Sequence, residues 1–597
     1  MRNISYKLFF AAVGSILLLT QSCKKYPDNP AVFEPYDSMV PPPDRRILVI
    51  AIDGLNSNAF QSAATPTYTA MQQHGKFAWD AKSDIISKDA SAWKTLTSGV
   101  TYSTHHISDS SFLQDLESVI PDFEDFDFPD NYLSVFGYLI RSKLYSIPTA
   151  VLSSWSKMVS SAVPEIPSQY ILPNDGVVKD STVNLLKNGD KKIVVVQFNT
   201  PAKVAVNPAD PTATFSNTSA PYASAMKTVD GYIGEIMTAL KSRPNYNKSE
   251  QWLVVVTGTH GGINKTYGGT SDDETNVPTL YYNENFVGQE FTKQGSYTSV
   301  TLRGSYSSTN FVNATVDNRP EFNPGTGPFT IQLRVNGTSN NYYPHFFSKT
   351  KDWEGANPVG GWTFYTNTSD RRWCFAMTGA AGMRKWEIPT TTVFDGGKWH
   401  TLTVVLYDSV VSGTTKHWIK RFTDGVRIDE GTTSRDISAF GNMSNTLPLI
   451  LGYGGNDNTY GGKGNANPLS LNVADVTFLK TALSDADVAA NLCSNSLASN
   501  PKTVAFWGCA DGIGGIFHNS IPTSADFKLN GSFQWNNLSQ YPCSFSPNPP
   551  KGKTSMFMKN VDVSVQIFYW LGLPIPKTWA AEGNIWLNQY ENEFYKK

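Results

Sequence analysis

The chain has 597 residues, of which 40% are hydrophobic and 17% charged, and its formal net charge is −2. These values are typical of a folded protein of about two to four domains and argue against a nucleic-acid binder. Aromatic residues make up 13% of the chain. This richness is typical of β-rich extracytoplasmic proteins with sugar-stacking surfaces, and equally of aromatic cores.

Residues 1–22 have the pattern of a secretory signal. Arg2 and Lys7 precede an apolar run, Leu8 to Leu19, that is too short to span a membrane. The small residue before Cys23 and the two lysines after it resemble a bacterial lipoprotein signal of the Bacteroidetes type. This resemblance implies that Cys23 carries lipid and anchors the protein to the outer membrane, at the cell surface. The alternative is a secreted protein with an incidental cysteine.

Residues 23–45 are rich in proline and predict an extended tether. An α/β pattern then covers residues 46–287, where apolar runs alternate with helical stretches such as Tyr222 to Ser242. The runs are ILVIAIDG, IVVVQFNT and WLVVVTG. Because such continuous apolar runs suit parallel strands covered on both faces, we predict a doubly wound sheet with its site at the carboxyl ends of the strands.

The pattern changes after residue 287. Short alternating strands and many glycines predict a β-sandwich over 288–495, followed by a small cysteine-containing segment over 496–550. Residues 551–597 contain an amphipathic helix that ends at Gly572 and prolines, and they return to the α/β part. The sandwich is therefore predicted to interrupt the α/β domain.

Six motifs follow one another along the α/β part: ILVIAIDGL (47–55), ATPTYTAMQQHG (64–75), TLTSGVTYSTHHI (95–107), VVVTGTHGG (254–262), NVPTLYY (276–282) and NVDVSVQIFYWLGLPIP (560–576). In this order they resemble the alkaline phosphatase superfamily, in particular its type I phosphodiesterase and sulfatase-like branch. The resemblance implies a metal centre, with two zinc ions in many members, and a Thr or Ser nucleophile that attacks phosphorus or sulfur. Three carboxylates and three histidines usually bind the two-zinc pair.

Only two of those six ligands have a match in this sequence, Asp53 and His260. Thr259 replaces a ligand aspartate, and Ala202 and Val206 fall where another aspartate and a histidine are expected. The resemblance therefore implies a degenerate site.

The nucleophile position of the family falls near Asp89, with Ser91 two residues further on. A carboxylate at Asp89 could bind metal but would not simply repeat the attack of a hydroxyl, and Ser91 could serve only if the loop were shifted. An alternative is a rebuilt single-metal site that uses Asp53, Asp89 and His260, together with Asp272 or Asp273. His105 falls where active relatives also keep a histidine that is not a metal ligand.

The segments FTIQLRV (329–335), GGWTFY (360–365), KWHTLTVVLY (398–407) and LILGYGG (449–455) resemble a laminin-G or concanavalin-A-like jelly roll. Such domains bind glycan or protein, often with calcium. The candidate ligand-binding residues are Trp353, Trp362, Trp373, Trp386, Asn456 and Asp457; the alternative is that the tryptophans are core. Cys493, Cys509 and Cys543 allow a disulfide among them, and Cys374 is predicted to be a buried thiol.

The leading hypothesis is a non-catalytic surface lipoprotein that binds or scaffolds during glycan or nutrient capture, beside a TonB-dependent transporter of the SusC/SusD type. It predicts no cofactor, apart from calcium in the sandwich. The second hypothesis is a phosphodiesterase or sulfatase-like hydrolase with an altered zinc site. The third is a purely structural subunit.

Overall fold

A computed structural model of the protein describes most of the chain between Asp44 and Phe594. The described residues are 44–114, 133–141, 147–304, 311–339, 345–350, 360–366, 372–379, 384–387, 397–428, 436–453, 469–545, 548–576 and 579–594. Five of the predicted functional residues or segments lie outside them: the signal (1–22), Cys23, Trp353, Asn456 and Asp457. The side chain of Trp386 also lies outside the described part. No helix in the described ranges is long and apolar enough to cross a membrane.

One mixed sheet forms the centre of the α/β part. Its strands are β1 (Asp44–Ile52), β2 (Gly75–Lys82), β3 (Thr149–Ser153), β4 (Ser168–Ile171), β5 (Ile193–Phe198), β6 (Glu250–Gly258), β7 (Asn276–Tyr282), β8 (Gln289–Thr292) and β26 (Thr554–Ser555). Across the sheet they follow the order β26-β8-β2-β7-β6-β1-β5-β3-β4. Because β1 begins at Asp44, the last two residues of the predicted tether belong to a central strand.

The middle of this sheet is parallel, as the apolar runs predict. β1 pairs in parallel with β5 on one side and with β6 on the other. Both faces of these strands are covered, so their side chains are buried throughout most of their length. β7 runs antiparallel to β6 and to β2, which makes the sheet mixed and not wholly parallel.

Helices cover both faces of the sheet. They are α1 (Ser57–Ser62), α2 (Pro66–Met71), α3 (Asp89–Ser98), α4 (Tyr102–His105), α5 (Val135–Arg141), α6 (Asp175–Asn188), α7 (Thr200–Ala205), α8 (Ala220–Lys241), α9 (Asp272–Thr275), α11 (Val561–Trp570) and α12 (Glu591–Phe594); α10 (Asp485–Ala490) belongs to the β-rich part. α8 buries Val229, Ile233, Ile236 and Leu240, whose spacing places them on one face. The sequence predicted this helix within two residues at each end.

The chain returns to the α/β part at α11. The Trp570 indole donates a hydrogen bond to the Arg46 carbonyl over 3.1 Å, and Arg45 donates back to the Trp570 carbonyl over 3.0 Å. Gly572 follows the helix with φ of 69°, the left-handed conformation that glycine adopts readily at a helix end. The C-terminal helix is therefore fixed to the first strand of the fold.

Two further sheets form the β-rich part, and their facing side chains make one hydrophobic core, so they form a sandwich. The strands of the first sheet are β10 (Leu302–Gly304), β12 (Phe329–Ser339), β17 (His400–Val411), β18 (Thr414–Thr423), β19 (Val426–Arg427), β21 (Leu469–Leu479) and β22 (Thr503–Trp507). Those of the second are β11 (Asn313–Val316), β13 (His345–Lys349), β14 (Gly361–Thr366), β15 (Trp373–Thr378), β16 (Arg384–Glu387), β20 (Leu449–Gly452), β23 (Ile516–Phe517) and β24 (Phe527–Asn530).

Two of the predicted domain boundaries differ from those in the structure. β8, which we predicted as the start of the sandwich, pairs with β2 in the α/β sheet. Residues 496–550 are not a separate segment, because β22 pairs with β21 and β24 pairs with β11. Two more strands, β9 (Thr298–Val300) and β25 (Trp535–Asn537), pair with each other between the two parts.

The cysteines divide into a pair and two buried thiols. Cys493 and Cys543 form a disulfide. Cys374 and Cys509 are free and buried. The prediction of a disulfide within the group of three is therefore confirmed, and so is the buried thiol at Cys374.

Candidate functional site

Three side chains with metal-binding chemistry meet at the carboxyl end of the parallel strands. Asp53 directly follows β1, and His260 lies two residues beyond β6. Since Ile52 is the register partner of Gly258, the two turns lie side by side. Asp89, the first residue of α3, completes the group, and its ligand atoms lie within 4.8 Å of those of Asp53 and His260.

Asp53 is 3% exposed, and its carboxylate accepts hydrogen bonds from three side chains. The Trp93 indole donates to Oδ1 over 2.8 Å, and the Thr259 hydroxyl donates to the same oxygen over 2.6 Å. The Gln197 amide donates to Oδ2 over 2.5 Å. Burial, followed by the charge of Asp89, raises the pKa of Asp53 to about 7, although these donors and His260 oppose the shift.

The turn after Asp53 requires a glycine. Gly54 has a φ of 72°, and a Cβ placed on it would lie 2.5 Å from the Cα atom of Ala202. The Ala202 backbone N–H donates to the Asp53 carbonyl over 3.2 Å. Ala202 therefore lies directly beside Asp53, and its methyl side chain offers no ligand atom there.

His260 is fully buried between oxygen acceptors. Its Nδ1 lies 2.7 Å from the Gly261 carbonyl oxygen, and its Nε2 lies 2.8 Å from Oδ1 of Asp89. Burial would lower the pKa of His260, but the charge and contact of Asp89 outweigh it and raise that pKa. The Nε2–Asp89 contact is short but lacks the alignment of a hydrogen bond. The two groups form an ion pair, and neither Nε2 of His260 nor Oδ1 of Asp89 has a hydrogen-bond partner among the described residues.

The side chain of Asp89 is one-third exposed, at 32%, and it lies at the outer edge of the group. Its Oδ2 accepts a hydrogen bond from the Tyr267 hydroxyl over 2.7 Å. The Tyr267 ring stacks on His260, with ring centroids 4.1 Å apart. Burial would raise the pKa of Asp89, but the charge of His260 lowers it. Asp89, His260 and Tyr267 thus hold one another in place.

Ser91, the alternative nucleophile, does not belong to this group. It is fully buried, and its hydroxyl donates to Oδ2 of Asp84 over 2.9 Å. Thr95 donates to the same carboxylate oxygen, and the backbone N–H of Tyr102 also donates to Asp84. A serine held in this way cannot approach a substrate beside Asp53.

His105 extends the Asp84 network. Its Nδ1 accepts from the Ile107 N–H over 3.0 Å, so Nε2 carries the proton and donates to the Thr95 hydroxyl over 3.0 Å. Burial and the charge of Lys94 lower the pKa of His105 well below its usual value. Burial also raises the pKa of Asp84 to about 7. This is a second buried polar network, and none of its side chains is exposed in the described part of the chain.

The remaining candidate ligands of the α/β part lie elsewhere. Asp272 is at the surface, where it pairs with Lys82 and Lys293. Asp273 accepts from Asn58 through its side chain. Neither joins the group at Asp53, so the suggestion that one of them completes a metal site is wrong. Among the described residues the group has three ligand side chains, which are too few for a two-metal centre.

The structure also contradicts the proposal that Trp362 and Trp373 of the sandwich stack on sugars. Trp362 is 1% exposed and packs edge-on against Phe347 in the core between the sheets. Trp373 is 0% exposed, and its indole donates to the Thr423 hydroxyl over 2.8 Å. Both lie on strands whose side chains are buried, so neither presents a face to a ligand.

Sequence reasoning missed Trp93 and Gln197, the two donors that fix Asp53 together with Thr259. The sequence contained one indication of each of these two residues. Trp93 lies four residues after Asp89 on α3, hence on the same face of that helix. Gln197 is the one polar residue in the buried strand IVVVQF, and a buried polar side chain needs a partner.

No known protein family matches the chain, and no curated protein matches it either. Several solved structures are similar. A 2-O-GAG sulfatase aligns over 42% of this chain and 66% of its own, slightly less than two thirds, with 13% identity and a TM-score of 0.31. The phosphonate monoester hydrolase of Agrobacterium radiobacter aligns over 42% and 70%, with 12% identity and a TM-score of 0.31.

A third similar structure is the C-terminal periplasmic domain of a phosphoethanolamine transferase from Campylobacter jejuni. It aligns over 40% of this chain and 80% of its own, with 14% identity and a TM-score of 0.30. At these TM-scores the similarities carry no argument about activity or substrate. We therefore infer activity only from the geometry at Asp53.

Proposed function

We propose that this protein is a non-catalytic binding protein whose α/β domain keeps the architecture of a metal hydrolase without its chemistry. The observation that supports this proposal is the hydrogen bonding of the buried Asp53 carboxylate. Trp93, Thr259 and Gln197 all donate to it, in a site where 3% of the residue is exposed. Side-chain donors thus stabilise this carboxylate where a hydrolase would use a cation.

Hydrolysis of a phosphate or sulfate ester also needs a nucleophile. In this protein Ser91 donates its hydroxyl to Asp84 and is fully buried. Asp89 lies beside the group, but its carboxylate is engaged by Tyr267 and by His260. Among the described residues, the group at Asp53 therefore has no hydroxyl free to attack, and Ala202 leaves a gap in the ligand set.

The remaining parts of the proposal concern the place and partners of the protein. The α/β part is a degenerate member of the alkaline phosphatase superfamily, interrupted by a laminin-G or concanavalin-A-like domain. Lipid on Cys23 anchors the protein to the outer membrane, at the cell surface. There it binds a glycan or protein ligand beside a transporter of the SusC/SusD type. The lipoprotein pattern around Cys23 supports the anchor.

A second candidate function is a hydrolase with one divalent ion. It is favoured by the convergence of Asp53, Asp89 and His260, whose ligand atoms lie within 4.8 Å of one another. It is also favoured by the misaligned contact of Asp89 and His260, which leaves two buried polar atoms without a hydrogen bond to any described residue. Zinc is the ion that such a ligand set suits, and two carboxylates with one histidine would hold it.

Activity assays distinguish the two functions. Bis(p-nitrophenyl) phosphate and p-nitrophenyl sulfate are incubated with the purified protein and with Asp53→Ala, with and without added zinc. The binding protein gives the same background rate in all samples. A zinc-dependent rate that disappears in Asp53→Ala would establish the hydrolase instead.

A further inference from the structure

Two cavities open at the seam between the α/β part and the sandwich. One has a volume of about 300 Å³ and the other of about 540 Å³, and Asn536 on β25 lines both. We propose that they form one groove that binds a saccharide. This inference rests on the proposed binding function for its role, and it places that function at a site that Asp53 does not line.

The smaller cavity combines two partly exposed aromatic rings with an amide rim. Phe557 and Tyr590 are the partly exposed rings, whereas Phe291, Trp535 and Trp586 line the cavity but are buried. The exposed side chains of Asn536, Asn537 and Gln589 lie at the same cavity. Aromatic surfaces suit the apolar C–H face of a sugar ring, and amides both donate to and accept from its hydroxyls. A volume of about 300 Å³ is at the lower end of ordinary small-ligand sites.

The larger cavity adds a cation to the groove. Its lining includes Arg303, Gln534, Asn536 and Thr301. Arg303 donates to the Ser532 carbonyl over 2.7 Å, and no acidic side chain pairs with it in the described part of the chain. A guanidinium has five N–H donors, so donors remain for sugar oxygens.

The carboxylate at this cavity, Glu582, does not compete for the ligand's hydroxyls. It accepts from the backbone and hydroxyl of Thr101 and from the hydroxyl of Thr104. Its oxygens are therefore already engaged on the protein side.

Two further charged lining residues, Lys559 and Asp562, are buried. Lys559 donates to the Gly512 carbonyl, and Asp562 accepts from the backbone N–H groups of Lys559 and Asn584. The groups left for a ligand are therefore the amides and the Arg303 guanidinium, which match a polyhydroxylated ligand better than a cationic one.

The two sides of the groove are fixed to each other by residues 508–515, a glycine-rich loop of the sandwich. The Gly512 carbonyl accepts from the Lys559 ammonium over 3.1 Å, and the Gly515 N–H donates to the Ser103 hydroxyl over 2.9 Å. The Trp535 indole donates to the Gly514 carbonyl over 2.8 Å. Because the groove is formed before a ligand arrives, binding needs little ordering of the protein.

Calorimetric titration with a defined panel tests the proposal. The probes are cellohexaose, maltohexaose, xylohexaose, mannohexaose and a hexamer of galacturonate, each added to the full-length protein. We expect at least one to bind, and Asn536→Ala and Gln589→Ala each to weaken it about tenfold, the effect of losing one good hydrogen bond. Both residues are exposed, so thermal unfolding of the variants should match that of the wild type.

Two controls make the outcome decisive. Asn188→Ala removes an exposed asparagine at the end of α6 and should leave binding unchanged. Asp273→Ala removes an exposed carboxylate of the α/β part and should also leave binding unchanged. Failure of every probe to bind, or binding that Asn536→Ala and Gln589→Ala do not weaken, would overturn the proposal. Neither result would alter the conclusion about hydrolysis, which the ester assays decide.

Discussion

The indole N–H of Trp93 donates to Oδ1 of Asp53 over 2.8 Å, and both residues are buried. Trp93 reaches this carboxylate because α3 begins at Asp89 and places residues 89 and 93 on the same face. The helix that begins at the predicted nucleophile position, Asp89, thus supplies a neutral donor to Asp53. This contact satisfies one oxygen of a buried carboxylate with a hydrogen bond.

The first prediction concerns this donor. Trp93→Phe keeps most of the ring volume but leaves Asp53 with one fewer donor in a buried site. We expect a loss of about 1–3 kcal/mol in the free energy of unfolding, measured by urea denaturation. Trp399→Phe is the matched control, because its indole makes only a 3.3 Å bond to the Gln540 carbonyl near the surface. Equal losses in the two variants would contradict the role assigned to Trp93.

The second prediction concerns the ion pair of Asp89 and His260. The pKa of Asp89 is lowered in the folded state and that of His260 is raised. The ion pair therefore stabilises the fold at pH values between the pKa of Asp89 and the pKa of His260. This stabilisation is lost as the pH falls through the pKa of Asp89, and it is also lost as the pH rises through the pKa of His260. Asp89→Asn should remove this bell-shaped component from the unfolding free energy. A difference between wild type and variant that is constant with pH would contradict it.

The third prediction concerns Asp84, whose pKa is raised to about 7 by burial. Because the folded state holds this proton more tightly than the unfolded state, the contribution of Asp84 to stability is greatest below about pH 4 and falls as the pH rises to about 7. Asp84→Asn should lose this part of the slope, since the hydroxyls of Ser91 and Thr95 can rotate to accept from the new amide; the part due to Asp53 should remain. Asp180→Asn, at an exposed carboxylate, is the control and should keep the wild-type slope.

The fourth prediction separates core from ligand-binding tryptophans. Trp362→Ala and Trp373→Ala should each cost about 3–5 kcal/mol in the free energy of unfolding, because both side chains lie in the packed interior. Neither should change saccharide affinity at conditions where the variant is folded. A tryptophan variant that unfolds like the wild type and loses affinity would show that the ring faces a ligand.

Much of the α/β part could be predicted from the sequence. The runs around Ile47, Ile193 and Leu253 are continuous and apolar, and these signals depend only on local composition. The order of β1, β5 and β6 places Asp53 and His260 at one edge, so their proximity was predictable. Their surroundings were not, because the donors to Asp53 come from three separate elements.

In the sandwich, alternating patterns predict the strands but not which strands pair, since pairing in an antiparallel sheet joins residues distant in sequence. For that reason β22 and β24 were assigned to a separate segment although they complete the two sheets. Periodicity also cannot tell which face of a strand is covered, so Trp362 and Trp373 could be predicted either as core or as ligand-binding residues.

The central claim is that Asp53, Asp89 and His260 do not hold a catalytic metal. The most direct test is the zinc content of the purified protein by mass spectrometry, followed by a calorimetric zinc titration of the wild type and of Asp53→Ala. The account predicts no stoichiometric zinc and no heat of binding in either protein. One zinc per chain, bound by the wild type and lost in Asp53→Ala, would contradict it and would show that a single-metal site is intact.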